Sequence, residues 1–99
     1  VKRIVWLKRA LVNIEEIHRY YLEEDSAKVA SSLITLILKS IQQLRKFSAL
    51  GRFGKVKGTR ELIIPKAQYI VVYREKNLRV EIIRVLHTTQ KWPRSDLEQ

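Results

Sequence analysis

Apolar positions recur along this chain with two different periods, and the switch between them predicts its elements. Leu7, Leu11, Ile14, Ile17 and Tyr21 follow one another at spacings of three and four, with Ala10 beside them. That is one face of an amphipathic helix, expected over about Lys8–Leu22. Glu23-Glu24-Asp25-Ser26 interrupts the pattern. Asp25 or Ser26 can accept a backbone N–H from the first turn of a new helix, and acidic residues suit that positive end. The second helix is expected from Ala27 to about Lys46, with Ala30, Leu33, Ile34, Ile37, Ile41 and Leu44 as its apolar stripe. Lys39, Arg45 and Lys46 fall in its C-terminal half, where the helix dipole favours cations.

Strand patterns flank these helices. Ile4-Val5-Trp6 predicts a short strand within Val1–Trp6. From Phe47 to Thr59 the periodicity stops. Gly51, Gly54 and Gly58 break this segment and Arg52, Lys55 and Lys57 charge it, so it reads as a loop that can end in a short strand. Leu62-Ile63-Ile64 is a strand stopped by Pro65. Tyr69-Ile70-Val71-Val72-Tyr73 is the strongest strand signal, and Glu75-Lys76-Asn77-Leu78 is a turn in which Asn77 can adopt the left-handed conformation. Val80–Leu86 is the last strand. The order β-α-α-β-β-β predicts one α+β domain over residues 1–99, with a helical hairpin packed on a largely antiparallel sheet.

The 99 residues suit one small core, and an apolar fraction of 45% is too high for a disordered basic tail. No apolar run is long enough for a membrane span, and the opening residues do not predict a signal peptide. The absence of cysteine removes disulfides and thiol nucleophiles and is compatible with a cytoplasmic protein. Charge changes the picture most: 20 Lys and Arg against 10 Asp and Glu give a net charge of +10. That excess implies a polyanion or an acidic protein as partner.

The candidate chemistry is sparse. His18 and His87 are the only histidines, no ligand spacing predicts a metal site, and no cofactor is expected. Gly51–Gly58 is glycine-rich and basic but lacks the Gly-Lys-Ser/Thr ending of a nucleotide loop. No nucleophile elbow is present. RNA cleavage through the substrate's own 2′-hydroxyl needs only an acid, a base and positive charge at phosphorus. Lys55, Lys57, Arg60, Arg84 and His87 could meet that need, and their spacing is compatible with one convergent patch. Strand parity puts Arg84 on a face with Val80, Ile82 and Leu86, so its charge must pair with Glu61 or Glu81, cap loop carbonyls, or make a functional contact. Glu61 reads as a structural partner, and Tyr69 and Tyr73, which share a strand face, either pack against the helices, the favoured reading, or stack on bases. Trp92-Pro93 either anchors the C-terminus or forms an exposed contact.

These segments together resemble the RelE/ParE superfamily of type II toxin–antitoxin toxins. The resemblance rests on Gly51-Arg52-Phe53-Gly54-Lys55-Val56-Lys57-Gly58-Thr59-Arg60-Glu61-Leu62, on Tyr69-Ile70-Val71-Val72-Tyr73-Arg74, and on Val80–His87 with Trp92-Pro93. Trp6-Leu7 and the helix carrying Ile14-Glu15-Glu16-Ile17 and Tyr20-Tyr21 fit as well. The pattern is closer to ParE-like toxins, which implies a plasmid-stabilisation type of toxin that poisons DNA gyrase without catalysis. Arg52, Lys55, Lys57, Arg60, Arg84, His87, Lys91 and Trp92 would then contact the target. The alternative is a RelE-type, ribosome-dependent mRNA endoribonuclease using Lys55, Lys57, Arg60, Arg84 and His87; the tail Thr88-Thr89-Gln90-Lys91 lacks the tyrosine found in such members. The resemblance also implies an acidic, ParD-like antitoxin as partner, operator DNA reached only through that antitoxin, and no membrane. Leu36 and Leu38, off the main stripe, either contact the antitoxin or belong to a wide core face.

Overall fold

The computed structural model describes residues 1–92. Strand β1 (Arg3–Trp6) leads into helices α1 (Lys8–Glu24) and α2 (Ala27–Gln42), then a one-turn 3-10 helix at Gln43–Arg45. Strands β2 (Arg52–Phe53), β3 (Arg60–Ile63), β4 (Tyr69–Lys76) and β5 (Arg79–His87) follow. They form one sheet in the order β1-β5-β4-β3-β2. The β1–β5 pair is parallel and the other pairs are antiparallel. The helical hairpin packs on one face of this sheet, and none of the described helices is long and apolar enough to cross a membrane.

Local rules account for most boundaries. Ser26 caps α2, its hydroxyl accepting from the Val29 N–H at 3.1 Å. The second helix is shorter than its apolar stripe predicts, because the last turn tightens to 3-10 geometry. The Arg45 carbonyl there accepts from the Lys2 N–H at 2.9 Å, which ties the end of the helical layer to the start of β1. The loop's short strand lies at Arg52–Phe53, in its middle rather than at its end, and β3 begins at Arg60. Both shifts follow from pairing, since Arg52 faces Glu61 and Phe53 faces Arg60.

The core joins Ala10 and Ile17 of α1 with Ile37 and Ile41 of α2, Leu44, and the sheet residues Leu62, Val71, Tyr73, Val80, Ile82 and Val85. Tyr69 and Tyr73 are buried against the helical side, as their strand pattern predicts. Trp6, Leu33, Ile34 and Leu36 pack against this core while half-buried. A one-residue irregularity changes the parity of β5. Val72 faces Arg84 but Tyr73 faces Ile82, so Ile83 is left without an opposite residue. Val80 and Ile82 therefore point to the helices before the bulge, and Val85 does so after it. Arg84 does not share a face with Val80 and Ile82; it lies with Val72 on the opposite face.

Tyr73 also holds the loop. Its hydroxyl accepts from the Gly51 N–H at 2.8 Å and donates to the Ser48 carbonyl at 2.7 Å. A β-carbon on Gly51 would lie 2.7 Å from that hydroxyl and 2.9 Å from the Glu61 carbonyl oxygen, so the close approach requires glycine. Tyr73→Phe leaves the buried Gly51 N–H without its acceptor. We expect it to cost about 1–3 kcal/mol in urea unfolding, with faster amide exchange confined first to Ser48–Arg52.

Candidate functional site

The basic loop between the 3-10 turn and β3 is built on buried braces. Arg52 donates to Glu61 Oε1 through Nε at 3.2 Å and Nη2 at 3.0 Å. The Lys55 N–H reaches Glu61 Oε2 at 3.4 Å, so one buried carboxylate holds both ends of the turn. Arg60 donates to the carbonyls of Gly51 at 2.8 Å and Ala49 at 3.3 Å, and its guanidinium lies 4.4 Å from the Phe53 ring centre. The Thr59 hydroxyl closes the turn on the Val56 carbonyl at 2.6 Å, and Gly58 supplies the positive φ of 86°. Two of the loop's cations are thus structural clamps as well as charges, while Lys55 and Lys57 are exposed.

Arg84 and His87 lie elsewhere. Arg84 pairs with neither Glu61 nor Glu81, the partners strand parity suggested. Its Nε donates to Asn13 Oδ1 at 2.9 Å, and the same oxygen accepts from the Val85 N–H at 3.0 Å. Glu61 is taken by Arg52, and Glu81 by Arg74 (2.6 Å) and Arg79 (2.8 Å). His87 faces Tyr69 across the strands, the two rings meeting edge to face at 5.3 Å. The Thr89 N–H donates to His87 Nδ1 at 3.2 Å, with the Thr89 hydroxyl 2.7 Å from the same nitrogen.

These positions do not gather the five residues side by side. Arg60 stands opposite Tyr73 and His87 opposite Tyr69. The offset of four residues along β4 and two strand spacings puts the backbones of Arg60 and His87 about 16 Å apart. Arg84 sits on the other face of the sheet. The bulge and the loop braces, neither visible in residue spacing, separate what the sequence suggested could meet. Among the described residues no group of three or more His, Cys, Asp or Glu could hold a metal ion.

The remaining candidates divide likewise. Lys91 is exposed, and Trp92 is half-buried with its indole N–H buried and unpaired among the described residues. Pro93 lies outside the described residues. Leu36 packs against the core, whereas Leu38 is exposed on α2. Leu11, Val12, Tyr20, Leu22 and Val29 are also exposed on the hairpin. Beside the loop, a groove of about 410 Å³ runs between Ser40 and Gln43 of the helical layer and Leu50, Arg52 and Ile63. β2 begins at Arg52, two residues after the position that would face Ile63, so this sheet edge is open and Ile63 is exposed.

Residue spacing missed Asn13 and Gln90, whose side chains satisfy the edge of β5 beyond the end of β1. Gln90 Oε1 accepts from the His87 N–H at 2.8 Å, as Asn13 does from Val85. Asn13 had a signal: it lies three residues after Ala10 and four before Ile17, an amide beside a buried stripe. Electrostatics reinforce the same framework. Burial, then the hydrogen bond with Tyr21, pushes the Tyr69 phenol well above its ordinary value. Burial likewise raises Tyr73. Hydrogen bonding to Arg74, with Arg79 assisting, holds the Glu81 carboxyl below its ordinary 4.5.

A helical hairpin on a mixed five-stranded sheet, with a braced basic loop at one edge, defines a small α+β class of domain. The family described as "ParE toxin of type II toxin-antitoxin system, parDE" matches residues 4–92. The chain belongs to this ParE toxin family. It is 39% identical over 92 residues to "Putative toxin Y4kP" of Sinorhizobium fredii (strain NBRC 101917 / NGR234), covering 93% of this chain and 94% of that protein. Its fold matches a solved structure described as "Chromosomal ParDE TA system from P. aeruginosa", with a TM-score of 0.82 and 19% identity. That match covers 87% of this chain and 95% of the other.

Two outcomes follow from this framework. A lowered folded value means that Glu81 stabilises the fold fully above about pH 4.5, and that this contribution is lost as pH falls through the folded value. Glu81→Gln should therefore be less stable than the parent chain at pH 7 and show a shallower loss between pH 5 and 3, read by urea midpoints across that range. Asn13→Ala should cost about 1–3 kcal/mol and speed amide exchange at Val85 selectively, because that N–H loses its acceptor.

Proposed function

We propose that this chain is a toxin that traps DNA gyrase on cleaved DNA, blocks replication, and is neutralised by an acidic antitoxin. The observation that carries the reading is the separation of its basic residues. The loop cations sit at one sheet edge, Arg84 is tied to Asn13 on the other face, and His87 lies beside Tyr69. A cut through the 2′-hydroxyl needs an acid, a base and charge within hydrogen-bond reach of one phosphate. Dispersed cations on a braced surface instead suit contact with a large partner. Membership of the ParE family supports the same choice.

In this reading Arg52, Lys55, Lys57 and Arg60 form one target contact at the loop. Arg84, His87, Lys91 and Trp92 form another at the end of β5. The exposed Leu11 and Leu22 of α1 and Leu38 of α2 offer apolar side chains to an amphipathic antitoxin segment, and the net charge of +10 draws an acidic one. Leu38 is the better antitoxin contact of the two leucines, because Leu36 is occupied by the core. The setting is cytoplasmic, since gyrase and translating ribosomes are there.

The test is gyrase supercoiling and cleavage with purified, antitoxin-free chain. Accumulation of cleaved plasmid, relieved by an antitoxin encoded beside the toxin and reduced at least tenfold by Trp92→Ala, is expected. Unchanged gyrase activity from folded, antitoxin-competent protein would reject the reading. Codon-positioned cuts in translated mRNA, lost in Arg84→Ala or His87→Ala, would establish the ribonuclease alternative.

A further inference from the structure

The far end of the sheet carries a feature that the target and antitoxin contacts leave unused. Arg3 of β1 stands opposite Arg79 of β5, which stands opposite Lys76 of β4. Three cations therefore form one cross-strand row, although like charges directly opposite one another destabilise a sheet. In the next row on the same face, Arg74 faces Glu81. Glu81 is buried and binds Arg74 Nε at 2.6 Å and Arg79 Nε at 2.9 Å, which orients both guanidinium groups. Glu75, the neighbouring acid, alternates to the other face and is engaged by Lys2 at 2.9 Å.

The turn that closes this hairpin adds a second, independent feature. Asn77 has φ 52° and Leu78 φ 62°. Asparagine tolerates the left-handed region, but leucine pays a steric cost there, and the second position of such a turn is ordinarily glycine. Leu78 recovers nothing by packing, since it is 84% exposed. A strained, exposed leucine in a turn flanked by Lys76 and Arg79 gains nothing for the fold and is placed to touch something outside it.

We propose that the β4–β5 hairpin tip binds double-stranded DNA, with Leu78 entering the major groove and Arg3, Lys76 and Arg79 meeting the phosphates that border it. β1 pairs with β5 as far as Arg79, so only the Asn77–Leu78 turn projects beyond three strands; that turn is narrow enough to enter the groove, and phosphate contacts from the row behind it fix its position without reading sequence. The tip has one exposed apolar side chain, not the periodic apolar stripe that an amphipathic acidic helix requires. The duplex backbone is the partner whose charge density suits the row. The site is distinct from the basic loop, and its test needs no gyrase.

The experiment measures fluorescence anisotropy of a labelled 20-base-pair duplex with the full, antitoxin-free chain across a salt series. Arg3→Gln with Lys76→Gln should weaken binding about tenfold or more and lower the salt-dependence slope by about 2. The control pair Lys8→Gln with Lys28→Gln makes the same change in net charge on exposed helix positions and should leave the slope within experimental error. Leu78→Gly should melt at higher temperature, because glycine relieves the left-handed strain, yet bind DNA severalfold more weakly. Equal losses from both charge pairs would overturn the proposal in favour of net charge alone. Loss of poly-glutamate binding by the tip variants with duplex binding intact would overturn it in favour of an acidic protein.

Discussion

Which side chains β5 sends to the core and which to the surface depends on the bulge within it. That strand is central, flanked by β1 and β4, and contributes Val80, Ile82 and Val85 to the core. Without an extra residue at Ile83, strict alternation would send Arg84 toward the helices and Val85 outward. The bulge reverses that assignment, keeps a guanidinium out of the core, and brings the Val85 N–H to Asn13. A charged side chain and an unpaired sheet edge, two separate liabilities, are thus met by one amide from α1. The position of Arg84 on the face away from the helices is a consequence of backbone register.

The second organising device is the buried carboxylate held between cations. Glu61 binds Arg52 and the Lys55 N–H, and Glu81 binds Arg74 and Arg79. Removing one member of such a pair leaves an uncompensated buried charge, which costs far more than the net value of the intact pair. A chain with this excess of arginine and lysine can therefore keep several cations rigid on its surface. Tyr73 and Arg60 do the same for the backbone of the loop, through Ser48, Ala49 and Gly51. Braced cations retain less rotamer freedom in the free protein, so binding costs them less entropy.

Much of the fold was legible because long periodic segments are strong signals. The stripes of both helices, the Ser26 cap and the two long strands are present where hydrophobic period and capping chemistry put them, and Asn77 turns the chain, but Glu75 and Lys76, expected in that turn, continue β4. The resemblance carried by the Gly51–Leu62 segment and the later strands led to the family that matches residues 4–92. What was not legible depends on pairing. The face of Arg84 follows from one inserted residue, which parity counting cannot detect. β2 is two residues long and exists only because β3 lies beside it. The end of α2 tightens where Arg45 meets Lys2, a contact 43 residues apart in sequence. Basic residues that looked as if they could converge were placed by these tertiary choices on different faces and edges.

On the gyrase reading proposed above, this toxin works by contact from separated basic surfaces, with no acid–base centre at His87. Growth arrest by His87→Gln, expressed without antitoxin and shown to fold, tests it most directly. Arrest is expected to weaken at most in part, since His87 is one of four residues in its contact, and to be accompanied by DNA-damage signalling and intact mRNA. Complete loss of arrest in a folded His87→Gln chain, with mRNA cleavage present in the parent and absent in the variant, would contradict it.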